Sequence, residues 1–151
     1  MLRKTATSLW VTVCLCASGL GAQEVPAADG ATAPEGGWPT VAEIGLPIYP
    51  DLRAYIAGVP ENPFASNASE FRFVNFASQA DVATLLAWYG EHAEGWVVDE
   101  DMEMILPEGA DADAAMMGES PFVNISDMSA MGMCVTVPCK TMVQVVYKPG
   151  G

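Results

Sequence analysis

Apolar residues recur at helical spacing within "SQADVATLLAWYGEHAEG", residues 78–95. Val82, Leu85, Leu86 and Tyr89 stand at i, i+3, i+4 and i+7 and share one face. Ser78 reads as the N-cap, with Asp81 three residues on as an acidic form of the capping box. Gly90 weakens the last turns, and Gly95 suits the stop. Elsewhere the period is two. "EFRFVNFA" sets Phe71 and Phe73 on one side and Arg72, Val74 and Phe76 on the other. From Trp96 to Leu106, even positions give Trp, Val, Glu, Met, Met and Leu, and odd positions give Val, Asp, Asp, Glu and Ile. This predicts a strand with Met102 and Met104 on its buried side and Asp99, Asp101 and Glu103 on a wet face. A turn at residues 99–101 would divide it into two short strands instead. "SPFVNIS" and "KTMVQVVYKP" read as the last two strands, and "RAYIAGV" as a weaker first one. The order β-β-α-β-β-β predicts an α+β domain: an antiparallel sheet of about five strands with one helix packed on a face.

The ends of the chain follow a different logic. Arg3 and Lys4 precede an apolar run from Leu9 to Ala17 and then small residues to Ala22, the layout of a secretory signal peptide over residues 1–22. The run is shorter than the roughly 20 residues a spanning helix needs, so no transmembrane segment is expected. Val13 and Leu15 precede Cys14 and Cys16, where lipoprotein processing calls for a small residue, and soluble export is favoured over anchoring. Residues 23–37, "QEVPAADGATAPEGG", lack a buried-face pattern and read as a flexible linker. A single domain is then expected over residues 38–151.

Charge narrows the partners. The chain has 6 basic and 19 acidic residues, and removal of the leader takes away two bases and no acid. So acidic a chain disfavours nucleic acid and anionic membranes, and it favours solubility first and basic partners or divalent cations second. Cys134 and Cys139 survive cleavage as an even pair in an exported chain and are expected to form a disulfide, closing the short loop "VTVP".

The pieces "LPIYPDL", "LLAWYGEHAEGW" and "VQVVYKP" resemble small bacterial envelope domains with a Leu-Pro-x-Tyr-Pro opening, a Phe/Trp-Tyr helix end and a Gly-Trp entry into the next strand. The resemblance spans residues 44–148 and implies a fold and a periplasmic or secreted location, not an activity. Asp51 and Leu52 depart from it, standing where small residues are expected, and the Met/Cys loop reads as an addition.

Candidate chemistry is sparse. His92 is the only histidine, which excludes a multi-histidine zinc site. Near a helix end it reads as a residue facing the helix dipole rather than as a proton shuttle. "DEDMEM" and "EGADADAA" are rich in carboxylates without the glycine and spacing of a calcium loop, and the second reads as a solvated loop. Asn67-Ala-Ser69 and Asn124-Ile-Ser126 match the glycosylation rule. Trp38, Pro39, Pro47, Tyr49 and Pro50 read as cover for a core edge or as an aromatic recognition surface. Within "MSAMGMC" the thioethers of Met128, Met131 and Met133 are soft ligands suited to copper(I). The same spacing serves an apolar loop beside a disulfide. The expectation is therefore an exported binding or interaction module, not an enzyme, with an unknown protein or small-molecule ligand. A copper(I)-binding protein is the first alternative and a small hydrolase the second.

Overall fold

The computed structural model describes residues 23–59 and 70–149. The leader expected over residues 1–22, and Asn67, lie outside them. Among the described residues no helix is long and apolar enough to cross a membrane.

The architecture is α+β. A short helix α1 (Val41–Ile44) precedes strands β1 (Arg53–Gly58) and β2 (Arg72–Ser78), followed by the main helix α2 (Val82–His92). Then come β3 (Trp96–Asp99), β4 (Met104–Pro107), helix α3 (Ala112–Met116), β5 (Phe122–Asp127), the small strands β6 (Met133–Cys134) and β7 (Val137–Pro138), and β8 (Thr141–Tyr147). Six strands form one sheet in the order β1-β2-β8-β5-β4-β3, every neighbour antiparallel, while β6 and β7 pair apart. The last strand of the chain thus lies between β2 and β5.

Register explains where the core sits. Val74 of β2 faces Val145 of β8, which faces Val123 of β5, which faces Ile105 of β4. One step along, Phe76, Val143 and Ile125 make a second row. All seven are buried, and α2 lays Leu85, Leu86 and Tyr89 over them. Such opposed apolar pairs are the unit that stabilises a sheet.

Several expectations are corrected. Met102 does not share the buried side of a long strand. Residues 100–103 form a turn, so β3 and β4 are the two short strands of the alternative reading, and Met102 is exposed. Ser78 is not the N-cap of α2. It ends β2 and donates its hydroxyl to Asp51 Oδ1, while Asp81 caps the helix by accepting from the Thr84 N–H at 2.7 Å. Asp and Ser cap equally well, and the strand had already taken Ser78. "EGADADAA" is not merely a solvated loop: Asp111 caps α3, accepting from the Ala114 N–H. The expected linker over residues 23–37 is docked at its start. Val25 is 3 % exposed in the main core, its N–H donates to the Pro39 carbonyl, and the Ala28 N–H donates to the Ala54 carbonyl of β1. A stretch poor in apolar residues is held here by backbone hydrogen bonds and one valine.

Gly90 keeps helical geometry inside α2, and a Cβ there would meet only Val98 Cγ2, at 3.6 Å. Gly90→Ala is expected to raise stability by about 0.5–1 kcal/mol, because alanine removes glycine's backbone entropy cost without a clash; urea denaturation measures it. Hydrogen bonds from the Thr84 hydroxyl and N–H hold the Asp81 carboxyl below its usual 3.8. A lowered native value means its contribution is present above the usual range and fades as pH falls through the lowered value. Asp81→Asn keeps an accepting oxygen but does not titrate, so its acid-induced loss of stability should be shallower below about pH 4. Thermal melts against pH test this.

Candidate functional site

The connection from β5 to β8 builds the most unusual surface of the molecule. Asp127 and Thr141 are paired across these strands, so a tight turn would have sufficed. Instead the intervening residues fold back on the sheet. The Met128 N–H donates to the Lys140 carbonyl, the Lys140 N–H to the Ser78 carbonyl, and Gln79 Nε2 to the Pro138 carbonyl. Above this base, β6 and β7 form a hairpin whose turn is Val135 and Thr136. The Cys134 and Cys139 sulfurs lie 2.08 Å apart, with their Cα atoms at 5.6 Å, a disulfide across the hairpin. Both cysteines are buried with Val137 against Tyr55 and Ala77, forming a small second cluster under the hairpin.

This arrangement sorts the three candidate sulfurs. Met128 is half-buried against the second cluster. Met131 and Met133 stand out at 69 % and 41 % exposure, and Val135 at 68 %. The three thioethers therefore share one loop but not one environment. Val135 has φ of +55°. That left-handed region suits glycine or asparagine, and a β-branched side chain there is strained. The strained position carries an exposed apolar side chain at the tip of a clipped hairpin.

The other candidates have structural work. His92 ends α2 with Nδ1 2.8 Å from the Trp88 carbonyl, and its ring stacks on the Trp88 indole at 4.4 Å. Tyr49 packs edge-on against Trp88, and Trp38 covers the main core with it. Tyr89 is buried in that core, and burial pushes its phenol well above the ordinary range. Asp51, one of the departures from the envelope-domain pattern, accepts from the Ser78 hydroxyl and the Gln79 N–H, while Leu52 is fully buried. Asp99 and Asp127 accept from the backbone N–H groups of Met102 and Ser129. Asn124 and Ser126 bond to each other within β5. Among the described residues, no three His, Cys, Asp or Glu side chains are placed to hold a metal ion together.

Removing the disulfide, by reduction or by Cys134→Ser with Cys139→Ser, should lower stability by about 2 kcal/mol, because the closed loop is short. Hydrogen exchange should rise at the Cys139 amide, which donates to the Gly132 carbonyl across the base of the hairpin, and stay unchanged in β2, β8 and β5. Exchange measured by NMR on the oxidised and reduced protein separates these regions.

Comparison with protein-family models, with curated proteins and with solved structures finds no match to this chain.

Proposed function

We propose that this chain is an exported, non-enzymatic interaction module of the bacterial envelope that presents the Met131–Met133–Val135 knuckle to an apolar groove of a partner protein. The observation that carries the reading is Val135. Glycine would relieve the left-handed backbone at this turn, yet the position holds a β-branched side chain at 68 % exposure. Backbone strain that persists at an exposed position points to a use for the side chain. Two exposed methionines beside it extend the apolar surface, and methionine adapts its shape to a partner. The disulfide and the hydrogen-bonded base limit the entropy lost when the hairpin is gripped. An oxidised cysteine pair and the expected leader support an oxidising compartment, and the Leu-Pro-x-Tyr-Pro resemblance supports the envelope.

Photo-reactive methionine incorporated in the native host tests the reading. A specific crosslink from position 131 or 133 is expected, and Val135→Gly together with Met131→Ser and Met133→Ser should abolish partner binding. Val135→Gly alone should leave the fold intact and raise its stability by about 1 kcal/mol, since glycine accepts the left-handed backbone. Partner binding that survives the triple substitution would defeat the proposal. Stoichiometric copper(I) uptake by the wild type, lost on replacing Met128, Met131 and Met133 with Leu, would establish the copper reading in its place.

A further inference from the structure

We propose that edge strand β3 takes up an extended, lysine- or arginine-bearing segment of a partner protein as a seventh strand of the sheet. The inference stands on residues separate from the Met/Cys hairpin. The sheet has two edges, β1 and β3. At β1 the chain pairs with itself: Ala54 donates to the Pro26 carbonyl and accepts from the Ala28 N–H. Among the described residues, β3 pairs with β4 and with no other strand.

The register shows what this edge offers. Val97 faces Leu106 and Asp99 faces Met104. The Glu108 N–H donates to the Gly95 carbonyl, and the Ile125 N–H to the Glu103 carbonyl. In an antiparallel ladder the bonded pairs alternate, so Val97 and Asp99 direct their backbone groups at β4. Val98 therefore turns both its N–H and its carbonyl away from the sheet, and Trp96 its carbonyl. These are the groups that an added strand would pair with.

Side-chain space matches an added strand rather than a helix. A cleft of about 510 Å³ lies on the α2 face of β3, lined by Val82, Leu86, Gly90 and Val98 together with Glu100 and Glu103. A second, of about 390 Å³, is lined by Val97, Leu106 and Pro107 together with Asp99 and Glu100. The two clefts share Val98 and Glu100. Side chains of an added strand alternate between faces, so one segment could fill both. Val97, at 52 % exposure, would be covered in the process.

Charge chooses the occupant. Ten of the 19 acidic residues fall between Glu91 and Glu119, and no lysine or arginine does. Asp99 ends β3, and Glu100 and Glu103 of the following turn line the clefts beside it; acids next to an edge also keep identical edges from pairing. That repulsion disfavours a second copy of this chain and favours a cationic segment. Repulsion alone does not account for two clefts of mixed lining beside the same strand, each offering apolar side chains together with carboxylates.

The probes are a short synthetic peptide alternating lysine and valine and its counterpart alternating glutamate and valine. Binding of the basic peptide to the intact protein should slow hydrogen exchange at the Val98 amide and shift NMR signals of Trp96–Asp99. Asp99→Asn with Glu100→Gln and Asp101→Asn should weaken binding about tenfold, the combined effect of three exposed ion pairs. Asparagine at position 99 keeps the oxygen that accepts from the Met102 N–H. Val98→Pro removes the outward N–H without breaking a ladder bond and should abolish binding, with a dispersed spectrum confirming the fold. Equal binding of the acidic peptide, protection centred on another strand, or unchanged affinity in the neutralised variant would overturn the proposal. Self-association protecting Val98 without peptide would overturn it too, by making a second copy the occupant.

Discussion

The fold depends on β8 sitting at the centre of the sheet. Its Val143 and Val145 complete both apolar rows, and no other strand lies beside both β2 and β5. Fully buried valines contribute roughly 1.5–3 kcal/mol each, and these two have neighbours on both sides in the sheet as well as α2 above. The two halves of the sheet, β1-β2 and β5-β4-β3, are joined through β8. β2 and β8 are about half the chain apart in sequence, so their loop-closure cost must be met by the packing that follows. The helix face, with Leu85, Leu86 and Tyr89, completes that packing and places the Trp88–His92 stack at the surface.

Central β8 also decides where the Met/Cys segment goes. Because β5 and β8 are adjacent and antiparallel, residues 128–140 leave and re-enter the sheet at nearly the same place. They fold over Tyr55 and Ala77 and are tied to Ser78 and Gln79, so the hairpin covers part of the sheet while its tip stands clear. The disulfide is a local clip on this excursion. Its cysteines belong to the second cluster and not to the main core, joining Tyr55, Ala77 and Met142 of the sheet and Ala28 and Ala31 of the N-terminal segment.

The two edges of the sheet are finished differently. At β1 an N-terminal segment with little apolar content supplies backbone partners, and Val25 anchors it. At β3 the finish is chemical: a short strand followed by an acidic turn in a part of the chain without lysine or arginine. Either device limits uncontrolled pairing, but among the described residues the second leaves backbone groups without a strand partner. The acidic composition that first disfavoured nucleic acid is concentrated in the part of the chain that carries β3, between Glu91 and Glu119, while Arg53, Arg72 and Lys148 lie on or beside the β1, β2 and β8 strands.

Periodicity by itself determined α2, because Leu85, Leu86 and Tyr89 had to share a face, and it determined β2, β5 and β8 as alternating strands. Both follow from local backbone geometry, which sequence spacing reports directly. The Cys134–Cys139 pairing was legible because only two cysteines remain beyond the expected leader. Tertiary structure alone decided the rest. Ser78 read as the cap, with Asp81 as its capping-box partner, but Asp51, distant in sequence, engages the Ser78 hydroxyl and Asp81 takes the cap. Met102 fitted an alternating strand until the chain turned and paired β3 with β4. Val25 reads as one valine in a polar stretch until β1 offers its edge. The strain at Val135 and the outward groups of Val98 have no counterpart in composition, because a φ angle and an unpaired edge belong to the assembled sheet. Contacts between residues far apart in sequence create these features, and no local pattern encodes them.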